Sequence, residues 1–321
     1  MEYVFLIFGF VLLTLCADWL VEGATAVARK FGISDLVIGL TVVAFGTSMP
    51  EFIVNLFASI SGNNEIAMTN ILGSNTLNAL VIVGLTAVVC PIYCSKEIIR
   101  FELPLSIIGG VLVMLLGSEC FGKLCVGGNP GLQMWDGLIL LIGFAFFMFY
   151  TIKSVVRKKK AAGEKEELVI NDKPIWKAVV LIVAGLAGLT FGGKLIVENS
   201  TTIAKNFGVS DAVIGATIVA LGTSLPELAT SVIAAFKKNT DLAIGNVVGS
   251  NIFNIFFILG VSSFVSSIEA YGNLLVDSLL AIFSGLMLLA FLMDDDERHI
   301  SRWEGAVLLL IYVGYVFVLL R

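Results

Sequence analysis

One eight-residue phrase occurs twice in this chain, as Ala44-Phe45-Gly46-Thr47-Ser48-Met49-Pro50-Glu51 and as Ala220-Leu221-Gly222-Thr223-Ser224-Leu225-Pro226-Glu227, 176 positions apart. Each copy lies inside a long apolar stretch, where a carboxylate is expensive. A charge at bilayer depth costs about 2.5–3.5 kcal/mol even on the most lenient insertion scale. With 58% hydrophobic and 14% charged residues and a mean hydropathy of +0.98, the chain reads as an integral membrane protein, since soluble domains run nearer a quarter charged. Two costly carboxylates in the same helix-breaking setting point to a two-fold ion-binding site.

The repeat extends well beyond the phrase. Gly32 to Glu51 matches Gly208 to Glu227 at 14 of 20 positions, and the register continues through Asn70/Asn246, Gly73/Gly249, Ser74/Ser250, Asn75/Asn251, Asn78/Asn254 and Gly84/Gly260. At about 20 apolar residues per span, ten segments emerge: 4–28, 34–60, 66–90, 98–118, 133–154, 175–204, 210–236, 242–267, 273–293 and 303–320. The expected fold is all-α, with ten transmembrane helices in two five-helix repeats. Residues 1–155 form the first unit (repeat core about 34–90), 156–174 a solvated linker, and 175–321 the second unit (repeat core about 210–267). Five spans is an odd number, so the second unit enters the bilayer from the opposite side, giving inverted topology.

Loop charge sets the expected orientation. The loops after spans 1, 3, 5, 7 and 9, counted with the adjoining span ends that carry Arg100, Lys153 and Lys177, hold 2, 2, 8, 2 and 2 basic residues, 16 of the 20 in the chain. By the positive-inside bias that side faces the cytoplasm, so both termini lie outside and the 156–174 linker inside. Met1-Glu2 supplies no basic n-region and Leu15 precedes Cys16, so the first segment reads as a retained span rather than a cleaved signal. Net charge is −5 with no basic stripe, which argues against nucleic acid.

The chemistry of the repeat follows from its residue types. Pro50 has no N–H to return to the Gly46 carbonyl, and its ring crowds that carbonyl; the helix is expected to unwind there. Irregular backbone survives inside a bilayer only where it lines a cavity or is buried in protein. The carbonyls near Ala44–Thr47, and near Ala220–Thr223 in the second copy, then become candidate ligands. Thr47 and Glu51 share a face, with Ser48 beside them, and Ser74 and Asn78 are also four apart. The second half offers Thr223, Ser224, Glu227, Ser250, Asn251 and Asn254. Every group is an oxygen donor, which suits hard cations. Two bidentate glutamates and two threonine carbonyls reach the lower end of the roughly six to eight oxygens that calcium takes. Gly-Thr-Ser runs also serve close helix packing; the duplicated glutamates and prolines weigh against packing alone.

These residues resemble the cation/calcium antiporter superfamily, specifically its sodium/calcium exchanger branch of prokaryotic type. The likeness covers essentially the whole chain, through two Gly-Thr-Ser-x-Pro-Glu motifs and two Gly-Ser-Asn-x-x-Asn motifs at 73–78 and 249–254. It implies that Glu51 and Glu227 are shared ligands for Ca2+ and Na+, with carbonyl oxygens from Thr47 and Thr223. Ser48, Ser74, Ser224 and Ser250, with the carbonyls of Ala44 and Ala220, would complete outlying sodium sites. Asn78 and Asn254 would line the middle. The implied activity is exchange of Na+ for Ca2+ by alternating access, spans 1 and 6 sliding against a rigid core. No resident cofactor and no obligate protein partner are implied. Several relatives carry Asp where this chain has Asn254, so potassium-independent transport is expected. The linker has no room for the calcium-sensing domains of animal exchangers.

Two other functions fit the same carboxylates. A calcium/proton antiporter would use them as proton acceptors, and a passive cation channel would leave them in an open path. An enzyme is disfavoured by the lack of a nucleophile–base pair in the spans. The remaining polar features have simpler readings. Asp294-Asp295-Asp296-Glu297 reads as a solvated acidic loop, and His299 as a solvated residue of that loop. Lys194 has Asp18, Glu22 and Glu198 as candidate partners, or snorkels outward. Cys90 and Cys94 read as inert thiols, and pairing of Cys120 with Cys125 in an outer loop is left open.

Overall fold

The computed structural model describes residues 1–60, 64–118, 131–162, 174–208, 220–294 and 298–319. Its main elements are the helices α1 (Glu2–Phe31), α2 (Asp35–Thr47), α3 (Met49–Ile60), α4 (Ala67–Val89), α5 (Ile98–Gly117) and α6 (Met134–Ala162), followed by α7 (Ile175–Asn206), α8 (Ala220–Thr223), α9 (Leu225–Phe236), α10 (Thr240–Val265), α11 (Leu274–Asp294) and α12 (Arg302–Leu319). Among the described residues, seven helices are long and apolar enough to cross a bilayer, or eight with the bent pair α2–α3 taken as one. The 120/125 cysteine pair, most of the 156–174 linker, the start of the second repeat core and most of the acidic run lie outside the described residues.

Burial sorts the helices into a core and a rim. α4 and α10 are buried along most of their length, whereas only about a third or less of α1, α6 and α7 is buried. The exposed faces carry Phe8, Val11, Leu15, Ile142, Phe149 and Val183, apolar residues that at bilayer depth face acyl chains rather than water. α1 and α7 have 30 and 32 residues, about 45–48 Å at 1.5 Å per residue. That exceeds the roughly 30 Å hydrocarbon thickness, so both either tilt or run on into the headgroup region.

These two long helices lie against each other because glycines let their backbones meet. A Cβ on Gly23 would come within 2.7 Å of the Ala178 carbonyl, and one on Gly185 within 2.9 Å of the Cys16 carbonyl. α1 ends at Gly32, whose φ of 57° lets its N–H close back on Ala28 and Arg29, the left-handed cap that glycine makes cheaply. Ser34 then caps α2 through Val37.

Several contacts recur in matched pairs. Gly84 of α4 packs on the backbone of Gly305 in α12, and Gly260 of α10 on that of Gly137 in α6. Two short antiparallel ladders tie loops together, Ile92–Tyr93 with His299–Ile300 and Gly131–Leu132 with Ile268–Glu269. Gly84 and Gly260, like Ile92 and Ile268, are 176 positions apart. The ladders are small departures from the all-helical expectation, and one of them corrects the view of His299. This residue is not simply solvated: it pairs with Tyr93 and stacks on its ring at 5.1 Å.

A candidate cation site at two broken helices

Both copies of the repeated phrase break a helix at its serine. Ser48 leaves helical geometry (φ −84°, ψ 8°), α2 and α3 meet there at 47°, and Phe52 N–H is the amide that bonds back to the Ser48 carbonyl, at 3.0 Å. Ser224 (φ −90°, ψ 6°) does the same before α9, with Leu228 N–H on its carbonyl at 3.0 Å. The break is sharper than the unwinding expected from Gly46 and Pro50. The Ala44 carbonyl is also not freed: it accepts from Ser48 N–H at 3.0 Å and from Thr47 Oγ1 at 3.3 Å. Ala220 opens the matching turn, α8.

Glu51 and Glu227 sit in the first turn of the helices that follow, each 1% exposed. Each accepts a hydroxyl from the opposite copy. Ser48 Oγ donates to Glu227 Oε1 at 2.8 Å, and Ser224 Oγ to Glu51 Oε1 at 3.2 Å. Ser224 also reaches Ser74 Oγ of α4, at 3.4 Å. No lysine or arginine neutralises either carboxylate among the described ion pairs.

What remains unpaired decides the chemistry. Glu51 Oε2, Glu227 Oε2, Thr223 Oγ1, Ser250 Oγ, Asn78 Oδ1 and Asn254 Oδ1 are all buried, with no hydrogen-bond partner among the described residues. An orphaned buried polar group costs about 1–3 kcal/mol, more when charged. Six such oxygens from the two broken helices and from α4 and α10 form a donor set that a desolvated hard cation would satisfy. Histidine and thiolate take no part.

The predicted residues thus divide into two groups. Glu51, Glu227, Ser48, Ser224 and Ser74 are joined by hydrogen bonds across the two halves. Thr223, Ser250, Asn78 and Asn254 bring unpartnered oxygens. Thr47 turns its hydroxyl to Asn246 Oδ1 at 3.1 Å. Ala44 is spent on its own helix, leaving its role as an outlying ligand without a free carbonyl.

Three buried residues, Asn246, Asn55 and Ser231, lie beside the site but outside the candidate ligands read from the sequence. Asn246 receives Thr47 and donates to the Glu227 carbonyl at 3.3 Å and to Ser231 Oγ at 3.0 Å. Asn55 donates to the Glu51 carbonyl at 2.7 Å. Asn246 was visible as a repeated position with Asn70, but its partner Thr47 lies 199 residues away. Asn55 faces Ser231 in the alignment, so no identity flagged either. Lys194 pairs with Glu198 at 3.7 Å, both exposed, while Asp18 belongs to Lys237 at 2.6 Å.

Glycines seat both breaks on α7. A Cβ on Gly46 would lie 2.6 Å from Leu186 Cδ1, and one on Gly222 would run into Val197. The helix that lines the rim is thereby in direct contact with both bends.

All-helical, membrane-spanning and centred on a buried all-oxygen cluster, the chain is an ion-transport protein of the membrane. The profile of the family described as "Sodium/calcium exchanger protein" matches residues 1–153 and 177–321, and the chain belongs to that family. It is 39% identical over 324 residues to CaxA of Alkalimonas amylolytica, covering 98% of each chain. It is 32% identical over 345 residues to the sodium/calcium exchanger MaX1 of Methanosarcina acetivorans, covering 99% of this chain and 98% of that one. A solved structure of the sodium-calcium exchanger NCX_Mj, soaked with zero Na+ and Ca2+, superposes with a TM-score of 0.82 at 31% identity, covering 99% of this chain and 98% of that one.

Proposed function

We propose that this protein is a sodium/calcium antiporter that couples Na+ entry to Ca2+ extrusion by alternating access. The observation that carries the reading is the reciprocal bridge, Ser48 to Glu227 and Ser224 to Glu51, which makes one site from two copies of one motif. Two carboxylates balance one Ca2+. Sodium ions satisfy the same oxygens at lower charge, so the two cations compete, and that competition couples their fluxes. Glu51 and Glu227 are the shared ligands. Thr47, Thr223, Ser48, Ser224, Ser74, Ser250, Asn78, Asn254 and the Ala220 carbonyl form the surrounding subsites.

In this reading ten spans form two inverted five-helix units, 1–155 and 175–321, joined by the 156–174 linker. The matched glycine contacts and matched ladders support it, as does the counting of α8–α9 and α12 with the eight apolar spans. Both termini face outward and the linker faces the cytoplasm. α1 and α7 move as a pair over Gly46 and Gly222, carrying access from one side to the other. Asn254 leaves the formal charge on two glutamates alone, so no potassium ion is needed.

The test is equilibrium calcium binding to the purified protein. Saturable Ca2+ binding displaced by Na+ but not by K+, and lost in Glu51→Gln and Glu227→Gln, is the expected result. Calcium binding indifferent to Na+, or intact in both variants, would refute the reading.

A further inference from the structure

Between α4 and α10 lies a belt of four asparagines whose hydrogen bonds determine one another. Asn75 Nδ2 donates to the Asn251 carbonyl at 3.1 Å, and Asn251 Nδ2 to the Asn75 carbonyl at 3.4 Å. A backbone carbonyl only accepts, so each of these amides must turn its NH2 toward the opposite backbone. Their oxygens are then fixed as well. Asn75 Oδ1 accepts from Asn254 Nδ2 at 3.1 Å, and Asn251 Oδ1 from Asn78 Nδ2 at 2.9 Å.

The chain of consequences ends at Asn78 and Asn254. With one N–H of each held on Asn251 or Asn75, the two amides are oriented, and the oxygens on their other side are buried without a partner. Both residues sit in π-helical turns, Asn78–Ile82 and Phe253–Leu259, a geometry that widens the helix locally and is common at functional sites. The first turn packs against α9, which bears Glu227, and the second against α3, which bears Glu51. Asn75 and Asn251 line a narrow cleft with Leu103, Ser106 and Gly110 of α5 and Ala281 and Gly285 of α11, and neither is hydrogen-bonded to a carboxylate.

We infer that Asn75 and Asn251 are positioning residues for cation selectivity: they lock the amides of Asn78 and Asn254 with oxygen, never NH2, turned toward the ions. An unlocked amide rotates and offers an N–H, which repels a cation. The lock is fixed by backbone geometry and carries no titratable group, so it holds at any pH that leaves the fold intact. The inference rests on the cation-site reading above and assigns work to two residues outside the ligand set.

A double-mutant cycle on calcium dissociation constants, measured by equilibrium dialysis with the purified full chain, tests it. Asn75→Leu is expected to weaken Ca2+ binding about tenfold, the scale of one lost hydrogen-bonded contact. In an Asn254→Leu background, where there is no amide left to orient, the same change should add less than about twofold. Asn251→Leu over Asn78→Leu forms the matching cycle, and alanine replaces leucine wherever a leucine variant does not fold. Unchanged affinity in both single variants, or equal weakening with and without the partner asparagine, overturns the inference even if the melting temperature falls. Absence of Ca2+ binding by the unmodified protein would instead defeat the underlying reading.

Discussion

Ser48 of the first repeat donates its hydroxyl to Glu227 of the second at 2.8 Å, though 179 residues separate them. Its counterpart, Ser224 to Glu51, is longer at 3.2 Å and is shared with Ser74. The two copies are therefore alike in connection and unequal in detail.

That inequality makes the serines a sensitive comparison. Hydrogen bonds to charged groups contribute about 1.5–3 kcal/mol, so Ser48→Ala should raise the Ca2+ half-saturation constant roughly 10- to 100-fold. Ser224→Ala should act in the same direction and also release Ser74. Sodium-dependent calcium uptake at varied Ca2+ gives both numbers. Wild-type constants in either variant would detach that serine from the site.

Asn246 should matter for stability more than for affinity. Its amide joins Thr47 at one break to Glu227 and Ser231 at the other, and Asn246→Leu removes all three bonds, leaving Thr47 with the Ala44 carbonyl and Ser231 with that of Ala243. At about 0.5–1.5 kcal/mol per lost hydrogen bond, the melting temperature should drop by several degrees. Thermal unfolding followed by the fluorescence of the detergent-solubilised protein reads it; an unchanged midpoint would contradict the packing described.

The contact between Gly46 and Leu186 predicts a rescue. A Cβ at position 46 meets Leu186 at 2.6 Å, and overpacking of this kind costs about 1–3 kcal/mol. Gly46→Ala should slow exchange, and Gly46→Ala with Leu186→Ala should recover most of the rate. Initial rates of calcium uptake decide the matter, with simple additivity of the two changes as the contrary outcome.

Asn254 bears on ion coupling. With the formal charge resting on Glu51 and Glu227, replacing external K+ by choline should leave the uptake rate unchanged within about twofold, because no further carboxylate remains to hold a second type of monovalent ion. A flux that requires K+ would overturn this.

The sequence made the candidate ligands readable for a specific reason: the motif is duplicated, and an identical residue at a fixed offset stands out without any structure. Glu51, Glu227 and both serines emerged that way, together with the hard-cation chemistry of their oxygens. The connections were not legible. Which serine reaches which glutamate depends on how the halves interleave, and Thr47–Asn246 spans 199 residues. Asn75 and Asn251 were visible only as polar neighbours, since their role lies in the direction an amide faces. Pro50 correctly marked the break, but the backbone closes again within a residue, leaving the Ala44 carbonyl bonded where free oxygen was expected. Lys194 was partly legible: of the three carboxylates the sequence offered it, the structure pairs it with Glu198, one turn along its own helix.

The central claim is that one pair of glutamates carries both cations. It is tested most directly by isotopic calcium uptake into sodium-loaded proteoliposomes diluted into sodium-free buffer, for the unmodified protein, Glu51→Gln and Glu227→Gln. The account predicts uptake that vanishes when sodium is equal on both sides and that falls to the level of protein-free liposomes in each variant. Uptake that persists without a sodium gradient, or that survives either substitution, would contradict it.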